Sequence, residues 1–348
     1  MRIFSWMLGG LLAWSAAGAE INFDFNESAT GAPPTNFLAV LAGSGQPGVW
    51  QIITAEVPPL LAPLTDKALV VARHGVLAQT STDPTDEHFP MLIFTGEKFR
   101  NFKFTTRFKI VSGVAEQMAG IVFRYQNSSN YYTVRASALG KNVRFYKVVD
   151  GLRSDPIGPD MDVTVGVWHS LGVQCEGNQI NISYDGKPVM PALGDNSFTE
   201  GLLGFRTKSD TVSYFTDTLV DYTPIVPAAQ SIVNDIIKKQ SRILGLRIYT
   251  TQPDGSTQVV GSKDVAEIGK IGTDAEINAI KDGTVSFGRE PGVVVMTLPL
   301  HDRNGEFIGA VRVRLKSFFG ETQENALTRA RLVVEQIQGQ VMSDKDLL

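Results

Sequence analysis

The residues best equipped for chemistry lie in Gly120–Ser137, GIVFRYQNSSNYYTVRAS, and in NVRFYKVV, which starts at Asn142. Arg124, Arg135 and Arg144 carry planar, permanently charged forks, and Tyr131 and Tyr146 carry rings with a polar tip. Such groups hold carboxylates or hydroxyls, and the rings stack on the apolar faces of sugars. They act together only if the chain brings them to one surface.

Strand alternation tests this. A turn at Asn127–Asn130 sets Gln126 opposite Tyr131, Tyr125 opposite Tyr132 and Arg124 opposite Thr133. Opposed residues share a face, and faces alternate along each strand. Ile121, Phe123, Tyr125, Tyr132, Val134 and Ala136 then form an apolar face. Gly120, Val122, Arg124, Gln126, Tyr131, Thr133, Arg135 and Ser137 form the other. A one-residue slip would mix the two, which is the argument for this register. With LGKN as the next turn, Arg144 pairs with Ser137 and Tyr146 with Arg135, both on the polar face. Lys147 is then a misfit on the apolar face and predicts that the strand loses its cover there. FKFTTRFKI alternates in the same way and adds Arg107 to the outward set. The predicted ligand surface is Arg107, Arg124, Tyr131, Arg135, Arg144 and Tyr146. The competing reading is a solvated sheet face whose cations pair with neighbouring carboxylates.

The elements that must position these residues fill Glu20–Tyr222 as short strands with Gly, Asn, Asp and Pro between them. This pattern predicts an antiparallel β-sandwich. In WHSLGVQCEGNQINISYDG, Leu171, Val173 and Cys175 align with Ile180, Ile182 and Tyr184, so Cys175, the only cysteine, reads as an inert core thiol. Residues 223–228 read as a linker. From 229 to 342 the grammar changes to a leading helix with Ile232, Ile236 and Ile237, a short helix near DAEINAIKDG, hairpins at Asp254-Gly255 and Asn304-Gly305, and a last helix. That helix carries an apolar seam of Leu327, Ala330, Val334, Ile337 and Val341, which serves either its own core or a homo-oligomer contact.

Bulk properties narrow the partners. The 348 residues are 43% hydrophobic and 20% charged, with a formal net charge of −4. That composition is globular, and the charge is too mild to predict nucleic acid or an anionic membrane as partner. Residues 1–19 read as an export signal, with Arg2, an apolar run and Ala17-Gly18-Ala19 as the cleavage site. The expected location is extracytoplasmic, with no membrane span in the mature chain.

At GIVFRYQNSSNYYTVRASALGKNVRFYKVVDG, followed by VWHSLGVQCEGNQINISYDGKPV, the sequence resembles concanavalin A-like lectin/glucanase sandwiches, closest to the bacterial 3-keto-disaccharide hydrolase type. GVWQIITAE fits as well, and the resemblance spans about residues 20–222. It implies a jelly-roll of two antiparallel sheets whose concave face meets carbohydrate, or an enzyme acting on 3-keto-glycosides. No catalytic motif transfers residue by residue. Residues 229–342 resemble a Cache or PAS-like sensor fold, which implies a small-molecule ligand. Lys270, Arg289 and Arg312 are its candidate anion contacts.

Catalytic signatures are absent. The E-x-D-x-x-E strand that sets glucanase carboxylates on one face does not occur. His74, His88, His169 and His301 follow no zinc spacing. His88, with acids beside it, is a weak candidate base. GSGQPG at Gly43–Gly48 has no following helix to turn amides toward a phosphate. Asp155, Asp160 and Asp162 are a weak calcium candidate, because a hard cation asks for six or more oxygens; no cofactor is expected. The sequence favours an exported binding protein over a glycoside-active enzyme, with an envelope assembly role as the third alternative.

Overall fold

The computed structural model describes residues 18–60, 71–252, 254–302 and 304–347. The predicted export signal falls almost entirely outside them. The chain divides into two compact units, one ending at Ile225 and the other running from Val226 to Leu348.

In chain order the first unit has β1 (Ala19–Phe23), β2 (Phe37–Gly43), β3 (Trp50–Val57), β4 (Ala72–Gln79) and β5 (His88–Phe99). Next come β6 (Asn101–Ser112), β7 (Met118–Asn127), β8 (Asn130–Ser137), β9 (Asn142–Val149) and β10 (Leu152–Arg153). The unit closes with β11 (Trp168–Glu176), β12 (Gln179–Tyr184), β13 (Lys187–Pro188), β14 (Leu193–Gly194), β15 (Gly201–Arg206) and β16 (Val212–Thr223). One sheet runs β13-β12-β11-β6-β16-β4-β3, with β1 on β16 and β14 on β12. The other runs β10-β9-β8-β7-β15-β5-β2. All their pairings are antiparallel, so the unit is the expected sandwich with jelly-roll-like crossovers.

Inward residues of both sheets make one core. Phe102, Phe104, Phe108 and Ile110 of β6 meet Ile121 and Phe123 of β7, Tyr132 and Val134 of β8, and Phe205 of β15. Apart from Phe205, these are the residues that alternation assigns inside. Cys175 is fully buried among them, and burial pushes its thiol up to about 12.

The register of the β7–β8 hairpin is corrected. Asn127 faces Asn130 as expected, but beyond the turn Phe123 faces Tyr132 and Gly120 faces Arg135. Three residues, Arg124 to Gln126, oppose Tyr131 alone. This is a bulge larger than the usual two-against-one kind, and Arg124 sits in it at φ +47°. Gly201 of β15 lies against it with its α-carbon facing the backbone of Arg124; a β-carbon there would come within 2.5 Å of that backbone. The two-residue offset keeps parity beyond the bulge and inverts it inside. Likewise Arg144 faces Arg135, and Tyr146 faces Thr133, two places from the expected pairing but on the expected face.

The second unit has α1 (Ala228–Lys239), β17 (Ile243–Thr251), β18 (Thr257–Ser262), α2 (Asp274–Asp282), β19 (Ser286–Glu290), β20 (Val293–His301), β21 (Phe307–Lys316) and α3 (Gln323–Gln338). Its antiparallel sheet is ordered β18-β17-β21-β20-β19. A Thr273 and Glu276 capping box opens α2, and Gly283 at φ +74° closes it. The apolar seam of α3 is spent on its own unit. Ala330, Val334 and Ile337 are buried against Val294, Met296 and Leu298 of β20, and Val341 joins them. Of the two readings of that seam, its own core is the one these residues serve. Among the described residues no helix is long and apolar enough to cross a membrane.

Candidate functional site

The outer face of the β10–β2 sheet is deeply curled. Five inter-strand steps separate β10 from β5, about 24 Å in a flat sheet. Yet the Arg153 guanidinium of β10 lies 5.6 Å from the Phe89 ring of β5, and 5.3 Å from the Tyr146 ring of β9. Side chains from one edge strand and from the strand next to the other edge therefore meet over the middle. Gly204 of β15 belongs to the floor. A β-carbon on it would come within 2.3 Å of the Leu92 carbonyl oxygen, so only glycine lets the strands close up this far.

Four of the predicted ligand residues share this concavity. Tyr131 and Arg135 come from β8, and Arg144 and Tyr146 from β9. Arg135 donates to the Tyr146 hydroxyl at 3.0 Å and to Asn142 Oδ1, and its guanidinium lies 5.6 Å from the Tyr146 ring. Arg144 is turned to the rim, donating to the Gly158 carbonyl at 2.5 Å and to Asp160. The expectation of an unshielded surface is corrected: Tyr131, Thr133 and Ser137 are buried by the curl, and Arg135 and Tyr146 are half-buried.

Two predicted members are elsewhere. Arg124 is inverted by the bulge and fully buried at the end of the sandwich. It donates to the Phe198 carbonyl at 2.8 Å, to the Gly177 carbonyl and, more weakly, to the Arg100 carbonyl at 3.4 Å. Tyr125 takes the outward place, packed with Tyr131, Val122 and Phe89. Arg107 is on β6, in the opposite sheet, where it pairs with Asp217 at 2.9 Å and the Pro58 carbonyl at 2.8 Å.

Arg206, Phe89, Arg153 and Glu87 complete the site. Arg206 is only 3% exposed, and its guanidinium lies 4.1 Å from the Phe89 ring and 5.8 Å from the Tyr131 ring. Burial holds its pKa below the ordinary arginine value, and the charges of Arg153 and Arg135 add to that. Arg153 pairs with Glu87 at 3.3 Å at the mouth. Parity of LLGFRTK puts Arg206 on the outer face, but nothing local says that β15 lies between β5 and β7.

Lys147 is a misfit with a cause. It points inward and donates to Asp195 at 2.6 Å and to Ser197 at 3.1 Å, while Tyr132 donates to the same carboxylate. Burial opposes ionisation of Asp195. The bonds from Lys147, Tyr132 and Ser197 outweigh it and hold the carboxyl well below the usual range. Burial, then Asp195, pushes the Tyr132 hydroxyl up to about 12.

The remaining candidates resolve as structural groups. His88 is fully buried, with Nε2 2.6 Å from the Gln46 carbonyl, which corrects its reading as a loop base. His169 lies 2.9 Å from Asp185 and stacks on Tyr184. Of the calcium trio, Asp160 is taken by Arg144. The described residues hold no group of three or more His, Cys, Asp or Glu side chains arranged for a metal ion. In the second unit, Arg289 and Arg312 line one cleft of about 430 Å³ with Arg247 and Arg314, whereas the exposed Lys270 does not. Arg312 is held by the fully buried Glu276 at 2.8 Å, and Arg289 donates to the Glu321 carbonyl. The grouping of these three as one anion site is corrected on that geometry.

Residues 46–216 match a family model described as a 3-keto-alpha-glucoside-1,2-lyase-like domain. The match lies wholly within the sandwich and includes every residue of the concave site. Among solved structures, the chain is similar to a carbohydrate-binding module, CBM66, from Bacillus subtilis. The two are 18% identical, with 49% of this chain and 94% of that one covered, at a TM-score of 0.38. A protein of unknown function with a galectin-like fold, also from Bacillus subtilis, is 12% identical over 50% of this chain and 89% of that one, at a TM-score of 0.33. A native glycosidic hydrolase is 11% identical over 61% of this chain and all of that one, at a TM-score of 0.37. No curated protein matches the chain.

Proposed function

We propose that the sandwich unit is an exported, extracytoplasmic carbohydrate-binding domain whose ligand lies in the curled face between Phe89 and Tyr146. The observation that carries this reading is the convergence of the half-buried Tyr146 ring with Arg135 and Arg206 in one concavity walled by the buried rings of Phe89 and Tyr131. Rings offer flat apolar contact to a sugar ring, and guanidinium forks take up its oxygens. A concave face with few, convergent polar groups is the ordinary form of a small-ligand site. Titration calorimetry against a panel of oligosaccharides tests it. Arg135→Ala and Tyr146→Ala abolish binding, and Arg107→Ala, on the opposite sheet, leaves it intact. Binding indifferent to the first two changes refutes the placement.

A second reading, favoured by the family model matched over residues 46–216, is lyase or hydrolase action on 3-keto-glycosides in the same concavity. Turnover of a 3-keto-disaccharide, measured with and without chelator, separates the two. No turnover under either condition leaves the binding reading alone. For the second unit, the proposed ligand of a sensor-like domain is a small metabolite in the cleft lined by Arg289, whose neighbours Arg247, Arg312 and Arg314 are already paired with Glu267, Glu276 and Glu290. Thermal shift with small carboxylates, compared between the protein and its Arg289→Ala variant, tests that reading.

A further inference from the structure

Arg206 stands out among the buried charges of the sandwich. Arg124 is fully buried too, but both its terminal nitrogens donate to backbone carbonyls and only its Nε lacks a partner. The Nε and Nη1 of Arg206 are buried without a hydrogen-bond partner. The guanidinium lies 4.1 Å from the Phe89 ring and 5.8 Å from the Tyr131 ring, both on the outer face, so it projects into the concavity rather than the core. A buried guanidinium with idle donors is costly to fold around. A core position would favour an apolar residue of similar volume. The cost is intelligible if the donors are used by something that enters the face.

The charges around it identify the chemistry. Arg135 and Arg153 are close enough to oppose the charge of Arg206, and Glu87 is the carboxylate close enough to favour it. Glu87 is itself shared with Arg153 at the mouth. Lys208 is matched by Asp86 at 2.8 Å, and Arg144 by Asp160. Arg206, Arg135 and Arg153 thus face one carboxylate, and the concavity has surplus positive charge.

Resting on the carbohydrate reading above, we infer that the ligand is an acidic glycan, with the carboxylate of a uronic acid residue seated on Arg206. A guanidinium that lies against an aromatic ring presents its donors at its edge. A planar carboxylate accepts two parallel bonds from such an edge, which a neutral hydroxymethyl group in the same place cannot do. Arg135 stands beside it, and the Tyr146 ring provides the apolar platform for the sugar.

The test compares matched trisaccharides on the full-length protein by calorimetry: trigalacturonate with galactotriose, mannuronate trimer with mannotriose, glucuronate trimer with cellotriose, and one sulfated galactose trimer. At least one uronate member is expected to bind about tenfold or more tightly than its neutral counterpart. Arg206→Met removes that preference while the melting temperature holds or rises. Equal affinity within every pair, a gain confined to the sulfated trimer, or a preference that survives Arg206→Met each overturns the inference. The comparison on the unaltered protein decides the first two even if the variant fails to fold. Binding of neutral members alone sinks the acidic ligand and leaves the carbohydrate reading standing, whereas binding of no member sinks both.

Discussion

Replacing Arg124 with alanine separates a ligand residue from a structural one, because the two roles predict opposite outcomes. In the structure the guanidinium ties β7 to the Phe198 and Gly177 carbonyls, with a third, weak contact to Arg100. Hydrogen bonds made by a charged group contribute about 1.5–3 kcal/mol each. Two good ones give about 3–6 kcal/mol, and the carbonyls left behind are partly shielded from water. Removing a buried cation returns part of its desolvation cost, so we take about 4 kcal/mol as the expected loss. In a unit of this size that lowers the melting temperature by about 8–16 °C. Urea unfolding followed by tryptophan fluorescence reads the sandwich selectively, since no tryptophan follows Trp168 and Trp50 is buried in the core. Arg124→Lys, which keeps the charge but not the fork, falls between. Arg135→Ala, at a half-buried position on the face, costs less than about 1 kcal/mol. A loss below about 1 kcal/mol for Arg124→Ala, with sugar binding abolished, would return Arg124 to the ligand face and refute the inverted bulge.

Asp195 is held ionised by Lys147, Tyr132 and Ser197 against the cost of burial, so its folded pKa lies below the unfolded value of about 3.8. Its stabilisation is present above that value and drains away as pH falls through the folded one. Asp195→Asn should lower stability at neutral pH and flatten the acid limb of a melting-temperature profile below about pH 4; an unchanged acid limb contradicts the assignment. Cys175, with its thiol pushed up to about 12 by burial, should resist a thiol reagent at pH 8 in the native protein and react once unfolded in urea; fast native labelling would place it at the surface. Glu276 is fully buried, paired with Arg312 at 2.8 Å and accepting from the Thr273 amide at 2.8 Å. Glu276→Gln should cost the second unit about 3 kcal/mol, read as melting of the helical far-ultraviolet signal, because α1, α2 and α3 all lie there. An unaltered transition would make Arg312 available to a ligand after all.

Alternation along the chain was enough for the sandwich, because a buried face demands one side-chain type and parity has only two values. Phe102, Phe104 and Phe108 go in, and Lys103, Thr105 and Arg107 go out, whatever the strands' neighbours are. Parity does not say which sheet a strand joins. Arg107 has the right orientation on the wrong sheet, because β6 pairs with β11 and β16 rather than with β8. The helical periods of the second half likewise read correctly as helices, while the owner of the α3 seam was decided by a sheet far away in sequence. Lys147 was legible as an anomaly but not as a pair, since Asp195 arrives 48 residues later.

The bulge shows why the site itself was harder to read than the fold. A register argument assumes one residue against one, and it fails where three residues face one, as Arg124 to Gln126 face Tyr131. Nothing in FRYQ announces a positive φ at an arginine; the companion signal is Gly201, which lies 77 residues away and touches the bulge only after β15 docks on β7. The inversion has two effects that depend on each other. It sends Arg124 inward, where its donors tie down the carbonyls at the end of the sandwich. It also turns Tyr125 outward beside Tyr131, Val122 and Phe89, building the apolar wall of the concavity. Arg206 lies against two rings of that wall, Phe89 at 4.1 Å and Tyr131 at 5.8 Å. A sheet with regular pairing here would leave Arg124 in the open as a solvated cation and turn Tyr125 inward, so the parity failure that misplaces one arginine also supplies the ring that packs beside Tyr131 and Phe89.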